Sequence, residues 1–220
     1  MAVRGLAAPT PVHRARIEAV SAALPWLVAS YLLGAIPTSY LAGRLFRGID
    51  LREHGSRNLG ATNLYRVLGW RYAIPVGLFD AAKGLIPVTV FAPRASSSDL
   101  FALVCGLTAV LGHAFSVFVG FKGGKGVATA AGVMLGLAPI ALAVATAVWA
   151  LLVFTTGYVS LGSIAAAAVF PLAVMLFDPP AEPGMLWLDV AVAAAIIWFH
   201  RGNIQRLLKG TENRFGRRAA

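Results

Sequence analysis

The sequence predicts an all-α membrane protein, a single polytopic bundle of transmembrane helices. The 220 residues are 58% hydrophobic and only 13% charged, whereas a soluble domain carries about 25% charged residues. The apolar residues are gathered into long blocks, and one helical span of a bilayer needs roughly 20 of them. No polar linker of useful length separates the blocks, so we expect one transmembrane domain over residues 24–220, preceded by an N-terminal extension of residues 1–23.

Six apolar blocks define the helical elements in chain order. They are Leu24–Ala42, Tyr72–Ala92, Leu100–Val119, Val127–Phe154, Val159–Phe177 and Trp187–Phe199. The fourth block is too long for one ordinary span, and it contains Pro139, which lacks a backbone donor and breaks a helix. Splitting the block at this proline gives two short spans and predicts about seven spans in all.

The basic residues predict the orientation of these spans. The net charge is +10, and the Lys and Arg residues form clusters at 44–71, 122–125 and 201–218. Short loops rich in Lys and Arg stay on the cytoplasmic side, whereas the loop before the last block is acidic, with Asp178 and Glu182. With all three basic clusters inside, seven spans place the N-terminus outside and the C-terminus in the cytoplasm. Six spans is the alternative, because the N-terminal arginines would otherwise lie outside.

The first basic cluster contains a polar segment, HGSRNLGATNLYRVLGWR. It combines the small polar side chains of Ser56, Thr62 and Asn63 with glycines and with Arg66. Ser56 or Thr62 could simply cap a helix that follows a polar loop. The density of hydrogen-bonding groups favours a binding pocket instead, in which Arg66 would hold a phosphate through two N–H groups.

The second cluster, FKGGKG, places Lys122 and Lys125 among glycines just before an apolar helix. Gly123, Gly124 and Gly126 would let the backbone approach a ligand and direct N–H groups at it, and a helix start favours an anion. The spacing is not that of a P-loop, because the first glycine of that motif is missing and Gly126 replaces its Ser or Thr. A flexible basic turn is the alternative to the phosphate site that we favour.

Further polar residues lie at or within the apolar blocks. His200 and Asn203 follow the last block and share one helix face, so a role in a site and a structural role are both open. Asp80 and Lys83 lie within the second block and are expected to pair and to anchor the bundle. His113 is either a packed histidine or a supporting group of the site. No set of Cys, His and carboxylate residues has metal-ligand spacing, so no metal site is expected.

Three segments resemble the signature motifs of the bacterial acyl-phosphate:glycerol-3-phosphate acyltransferase family. They are GSRNLGATNLYRVLG, GHAFSVFVGFKGGKGVATAAG and HRGNIQRLLKGTENR, and GAIPTSYLAGRL and DAAKGLIPV are also similar to that family. The resemblance covers Leu24 to about Arg214. It departs at Arg57 and Ser116, where the family usually has glycine and proline.

The resemblance implies a seven-span protein of the bacterial inner membrane with a cytoplasmic active site. It implies transfer of a fatty acyl group from acyl phosphate to the 1-hydroxyl of sn-glycerol 3-phosphate, giving lysophosphatidic acid and phosphate in the first step of phospholipid synthesis. The expected partners are these two substrates and membrane lipid, with no cofactor, metal or nucleic acid, and a monomer is expected to suffice. From the motifs and the resemblance together, the expected site residues are catalytic Ser56, Arg66, Lys125, His200 and Asn203, phosphate-binding Thr62, Asn63, Lys122, Gly123, Gly124 and Gly126, and structural Asp80, Lys83 and Glu212.

The proton of the attacking hydroxyl has two candidate acceptors, His200 and a phosphate oxygen of a substrate. A third possibility is that Ser56 attacks the acyl group as a covalent nucleophile. It is less favoured, because the sequence shows no His and acidic residue next to Ser56 that could activate it. The competing class of protein is a membrane transporter for an anionic solute, which also uses broken helices and glycine-rich loops. A transporter would place its polar groups near the middle of the membrane, whereas these motifs all fall at one membrane face.

Overall fold

The computed structural model describes residues 10–182 and 184–215, and within these ranges the secondary structure is helical, with no strand. The first nine residues of the predicted N-terminal extension lie outside them. This part of the chain forms α1 (Pro11–Ala35), α2 (Thr38–Arg47), α3 (Ala61–Leu68), α4 (Trp70–Ile86), α5 (Asp99–Ala114), α6 (Val127–Leu137), α7 (Pro139–Thr156), α8 (Val159–Phe177), α9 (Met185–Phe199) and α10 (Arg201–Leu208). The predicted all-α class is confirmed.

Among the described residues, five helical segments are long and apolar enough to cross a membrane. They are Val20–Arg47, Trp70–Arg94, Asp99–Val119, Pro139–Thr156 and Val159–Phe177. A sixth is added if α9 and α10, which meet at a bend of 55°, count as one span. α6 is shorter, with 11 residues, and is therefore about 16 Å long. The total of seven spans and the sidedness of the termini stay predictions.

The expected break in the fourth apolar block is confirmed at Pro139. α6 ends at Leu137, Ala138 leaves the helical conformation with φ −144° and ψ 67°, and α7 begins at Pro139. Proline suits the first turn of a helix because an N–H there would lack a partner within the helix. The expectation of two short halves is wrong for α7, which has 18 residues and is long enough for a full span.

The helices pack closely because glycines bring their backbones into contact. Where α1 packs on α5, a Cβ at Gly34 would lie 2.1 Å from the Ala109 carbonyl oxygen. Where α4 packs on α6, a Cβ at Gly132 would lie 1.8 Å from the Ala81 carbonyl oxygen. Such contacts drive helix association in lipid, where burial of apolar surface gives little advantage. α8 packs on both α7 and α9, and the space between these helices and α6 becomes important for the site.

A buried polar group joins α2, α4 and α5, and we call its four residues, Thr38, Asp80, Lys83 and His113, the Asp80 cluster. Lys83 Nζ lies 2.7 Å from Asp80 Oδ1, 2.9 Å from the Ile36 carbonyl oxygen and 3.2 Å from His113 Nδ1. Thr38 Oγ1 donates a hydrogen bond to Asp80 Oδ1 at 2.5 Å. The expected pair of Asp80 and Lys83 is therefore present, and it ties the break between α1 and α2 to the neighbouring helices.

Candidate active site

Three segments that are distant in the sequence meet at one end of the bundle and line a single cavity. The cavity has a volume of about 370 Å³, and we call its polar end the cup. The cup is lined by Ser56, Asn58, Thr62, Asn63, Arg66, Lys125, Ser160, His200, Asn203 and Glu212. Arg66, Lys125 and His200, which come from three separate motifs, therefore share one cavity.

The first segment is a loop that the side chain of Asn63, on α3, holds in place. Asn63 is 1% exposed, and its Oδ1 accepts a hydrogen bond from the backbone N–H of Ser56 at 2.7 Å. Its Nδ2 donates to the carbonyl oxygens of Leu51, His54 and Asn58 at 3.3, 3.0 and 3.1 Å. Both ends of this amide are occupied, so Asn63 positions Ser56. This differs from the expectation that Asn63 binds the substrate phosphate itself.

Arg66 extends from α3 into the cup and keeps part of its hydrogen-bonding capacity. Its Nη2 donates to the Asn213 carbonyl oxygen at 3.4 Å, but its buried Nε has no partner among the described residues. Burial lowers the pKa of Arg66 from 12.5, while the charge of Glu212 raises it and that of Arg206 lowers it further. Buried donors without partners are rare, and in a guanidinium group a free donor points to an anionic ligand. Thr62 lines the same cavity from the first turn of α3.

Lys125 enters the cup from the loop before α6. Its Nζ donates a hydrogen bond to Asn203 Oδ1. Burial lowers the pKa of Lys125 from 10.5 to about 8; Glu212 opposes this shift, and the charges of Arg206 and Arg66 add to it. The ammonium group is therefore protonated at neutral pH, and a bound anion would favour that charged form.

The glycines of this loop have two different roles. Gly126 has φ +76°, in the left-handed region that favours glycine, and it lines the cavity as the last residue before α6. Gly123 and Gly124 allow close packing instead. A Cβ on Gly123 would lie 1.9 Å from the His113 carbonyl oxygen, and one on Gly124 would lie 2.2 Å from His113 Nε2.

The N–H groups of Gly123 and Gly124 are already used within the protein. They donate to the carbonyl oxygens of Ala114 and His113 at 3.0 and 3.1 Å, respectively. Lys122 is exposed and is not among the residues that line the cavity. The expectation that these three residues hold a phosphate therefore needs correction, because the two glycines fix the loop against the end of α5 and Lys122 does not line the cavity.

His200 lies at the bend between α9 and α10 and is 3% exposed. Its backbone N–H lies 3.1 Å from the Ile196 carbonyl oxygen and 3.0 Å from that of Ile197. Its ring Nδ1 lies 2.7 Å from the same Ile196 oxygen. A carbonyl oxygen only accepts, so Nδ1 carries the proton and Nε2 of the neutral ring is left as an acceptor.

Glu212 joins the second and third motifs through a set of contacts that we call the Glu212 network. The network consists of Lys125, Ser160, Asn203, Arg206 and Glu212. Glu212 is 7% exposed; its Oε1 accepts from Asn203 Nδ2 at 2.7 Å and from Ser160 Oγ at 3.0 Å, and its Oε2 accepts from Arg206 Nε at 2.7 Å. Glu212 accepts the hydrogen bond from Nδ2 of Asn203, so Oδ1 of Asn203 faces Lys125. Glu212 therefore joins Asn203, Ser160 and Arg206 beside Lys125, and its structural role stays a prediction.

Two members of this network, Ser160 and Arg206, are not among the expected site residues. Ser160 gives one signal in the sequence, since it is a polar residue at the start of an apolar block, but Arg206 is one of several arginines in the last basic cluster. The chain returns to the cup after α10 because Phe215 stacks on Tyr65, with ring centroids 4.6 Å apart, and donates its N–H to the Gly157 carbonyl oxygen at 2.6 Å. Such contacts between distant residues leave no local pattern.

The cup carries more positive than negative charge. Arg66, Lys125 and Arg206 lie around the carboxylate of Glu212; Asp80 also lines the cavity, but its charge is paired with that of Lys83. Arg57 lines an adjoining pocket that shares Ser56, Asn58, Lys125 and Asn203 with the cup, and we call this pocket the mouth. In the ranges that the structure describes, no three or more His, Cys, Asp or Glu side chains are grouped so as to hold a metal ion. The excess of positive side chains makes the cup suitable for an anion.

Away from the cup the cavity is mostly apolar, and we call this part the channel. The channel runs between α6, α7, α8 and α9. It is lined by Met134, Leu142, Ala145, Trp149, Ala167, Phe170, Val192, Ala193 and Ile196. A charged cup that continues into an apolar channel fits a ligand with an anionic head and a hydrocarbon tail.

The chain is similar over most of its length to glycerol-3-phosphate acyltransferases. The family model described as glycerol-3-phosphate acyltransferase matches residues 24–210. The glycerol-3-phosphate acyltransferase of Trichlorobacter lovleyi is 50% identical over 196 residues, which cover 89% of this chain and 99% of that relative. That of Chlorobaculum parvum is 45% identical over 225 residues, which cover 88% and 97%.

Solved structures show the same similarity in three dimensions. The crystal structure of PlsY (YgiH), an integral membrane glycerol 3-phosphate acyltransferase, in its glycerol 3-phosphate form superposes with a TM-score of 0.81 at 40% identity, covering 88% of this chain and 96% of that chain. The lysophosphatidic acid form superposes with a TM-score of 0.79 at 39% identity, covering 88% and 95%.

Proposed function

This chain belongs to the glycerol-3-phosphate acyltransferase family, and from that premise we propose that the cup and the channel form its active site. The reaction is the acylation of glycerol 3-phosphate to lysophosphatidic acid. We propose that the acyl group comes from acyl phosphate, that it is transferred to the 1-hydroxyl, and that inorganic phosphate is released.

The observation that carries the proposal is one cavity in which two cations meet an apolar channel. Both proposed substrates are anions, and Arg66 and Lys125 offset their repulsion and hold them close enough to react. The free Nε of Arg66 supplies a donor for a phosphate oxygen. The channel takes the acyl chain, so the carbonyl carbon lies at the boundary between the two parts of the cavity.

The chemical step exchanges one bond for another at that carbonyl carbon. An ester bond forms between this carbon and the 1-oxygen of glycerol 3-phosphate, and the bond from the carbon to the bridging oxygen of the acyl phosphate breaks. The electron pair of the broken bond leaves with the phosphate, which the cations of the cup stabilise.

The hydroxyl proton passes to Nε2 of His200 or to a phosphate oxygen. The first route is supported by the hydrogen bond that fixes Nδ1 of His200 as a donor. Turnover that persists in His200→Ala, with only a weaker substrate affinity, would assign the proton to the phosphate oxygen. Ser56 acts as a hydrogen-bonding group, since its hydroxyl has no His or carboxylate partner among the described residues to activate it as a nucleophile.

Purified protein in detergent tests the proposal directly. With glycerol 3-phosphate and palmitoyl phosphate, it should release inorganic phosphate and form lysophosphatidic acid in equal amounts. Acyl-CoA and acyl-carrier protein, supplied in place of palmitoyl phosphate, test the donor. Arg66→Met should abolish turnover, whereas Arg71→Met is the matched control, because Arg71 is exposed and lies on the ring of Trp70.

A transport assay tests the competing hypothesis that the protein is a transporter. Protein reconstituted in vesicles that takes up glycerol 3-phosphate, with no phosphate release from any acyl donor, would favour transport. The position of the charged groups favours catalysis, because the cup lies at one end of the bundle and continues into a channel that is mostly apolar.

We further propose that the cup faces the cytoplasm of a bacterial inner membrane and that a monomer is active. The motifs and their basic clusters lie at one end of the bundle, and α8 and α9 carry the acidic loop with Asp178 and Glu182 to the other end, as the distribution of positive charge requires. The cavity is complete within one chain. Thiol labelling in intact cells should reach Glu182→Cys and not Lys122→Cys; the single native cysteine, Cys105, is buried.

A further inference from the structure

Asp189 on α9 is a buried acidic residue that the proposed reaction does not use. Its side chain lines the cavity and is only 5% exposed. It makes no hydrogen bond or ion pair with the residues that the structure describes, in contrast to Asp80 and Glu212. An ionisable side chain within a membrane span is costly, and one without a protein partner is a candidate for function.

One face of α9 leads from the cup to Asp189. The cavity-lining residues of this helix recur at every third or fourth position from His200 back to Asp189, which places them in one row. At a helical rise of about 1.5 Å per residue, Asp189 lies about 16 Å from His200. The row on α8 gives a similar length, since Phe170 lies about 15 Å from Ser160 of the cup.

This distance can be compared with the length of a fatty acyl chain. Carbon–carbon bonds of about 1.5 Å advance an extended chain by about 1.25 Å per carbon. A chain whose carbonyl carbon lies beside His200 therefore reaches Asp189 after roughly 13 carbons. The other residues at this depth of the channel, such as Met134, Leu142 and Phe170, are apolar and accept methylene groups.

We propose that Asp189 selects the length of the acyl chain, an inference that rests on the proposed function. Chains that end before Asp189 are accepted by the apolar part of the channel. A longer chain presses methylene groups against a carboxyl group that has no protein partner, so it removes that group from water without giving a hydrogen bond in return. Asp189 is then a specificity residue that contacts the tail of the substrate, far from the reacting atoms.

A series of donors from decanoyl to stearoyl phosphate tests this, with kcat/KM measured for each. In the wild-type protein, kcat/KM should fall between myristoyl and stearoyl phosphate. Asp189→Leu replaces the carboxyl group by an apolar side chain of similar size, and the ratio of stearoyl to lauroyl kcat/KM should rise roughly tenfold. Asp189→Asn keeps a polar group at the same place and is the matched control, with a ratio close to that of the wild type.

An unchanged ratio in Asp189→Leu would overturn the proposal, and so would an equal rise in Asp189→Asn. If Asp189→Leu does not fold, Asp189→Ala is tested in the same way, and a folded Asp189→Ala that is inactive on every chain also overturns it. Failure of the proposed function itself would give a different result, because the wild-type protein would then turn over no acyl phosphate of any chain length.

Discussion

The Asp80 cluster and the Glu212 network are both buried groups of charges, but only the second has capacity left for a ligand. Nζ of Lys83 has three partners, which use all three of its donors. Among the described residues, Nζ of Lys125 has one hydrogen-bond partner, and Nε of the neighbouring Arg66 has none. The protein itself uses all the donors of the lysine in the Asp80 cluster, whereas donors of the cations in the cup remain free for a ligand.

This difference separates buried charges that stabilise the fold from buried charges that bind a ligand. A lysine whose donors are all used cannot hold a substrate without giving up a contact of the folded protein. A cation with free donors obtains its missing partners from an anionic ligand. Loss of a cation from the cup should therefore lower activity, whereas loss of the cation from the Asp80 cluster should lower stability.

Among changes within the Glu212 network and the Asp80 cluster, Lys125→Met should lower activity the most. We expect kcat/KM to fall roughly 10²- to 10³-fold, because one charge that stabilises phosphate in a partly desolvated site is removed, while the melting temperature changes little. Lys122→Met is the matched control, since Lys122 belongs to the same loop but lies outside the cavity. Phosphate release and thermal unfolding in detergent measure the two effects, and equal activity losses in the two variants would contradict the assignment.

Lys83→Met should give the opposite pattern. It leaves Asp80 buried without its cation, so the free energy of unfolding should fall by about 3–5 kcal/mol, and activity per folded molecule should fall far less than in Lys125→Met. The double variant Lys83→Met/Asp80→Leu should recover most of the stability, because no unpaired charge remains. A stable but inactive Lys83→Met would instead make the Asp80 cluster part of the active site.

Glu212→Gln should have an intermediate effect on activity. The change weakens the hold on Asn203 and removes the ion pair with Arg206, and we expect kcat/KM to fall about tenfold. Because the charge of Glu212 raises the pKa of Lys125, its loss should also move the alkaline limit of activity to lower pH. Ser160→Ala is the control that removes one hydrogen bond and no charge. A pH profile in Glu212→Gln that matches the wild type would refute this coupling.

The pH dependence of KM should reveal the titration of Lys125. Lys125 is protonated below its pKa of about 8 and loses the proton above it, while the phosphate group of the substrate stays doubly charged because its second pKa is about 6. Only the protonated lysine attracts this anion, so KM for glycerol 3-phosphate should rise up to about tenfold per pH unit above pH 8. In Lys125→Met, KM should be high and independent of pH; a flat wild-type profile would exclude Lys125 as the titrating group.

The fold was predictable because a membrane imposes simple conditions on a sequence. Apolar blocks of sufficient length must be helices, and Pro139 marks the break between α6 and α7 without any knowledge of tertiary structure. The contacts that close the cup were harder to predict from the sequence. The contact of Ser160 with Glu212 depends on how the chain turns back after α10, which no periodicity records.

The motifs predicted which residues meet, but not which of them remain free. Asn63 and Gly124 were expected at the phosphate, yet Asn63 is used by the loop and Gly124 by packing against His113. Small polar residues and glycines serve the backbone as readily as a ligand, so only the structure separates the two uses. Arg66 and Lys125 were more predictable, because a cation drawn into a protein needs an anionic partner.

Arg57→Gly should have the smallest effect, since Arg57 belongs to neither set of buried charges. Arg57 has φ +60°, a left-handed conformation that costs a non-glycine residue about 1–2 kcal/mol, so the glycine variant should be more stable by roughly 0.5–1 kcal/mol. Loss of one charge at the mouth should lower kcat/KM about twofold at low salt and not at high salt. Arg57→Lys keeps both the charge and the strained backbone, and should match the wild type in thermal unfolding and in salt-dependent kinetics. If Arg57→Gly unfolds at a lower temperature than Arg57→Lys, this backbone position is not strained.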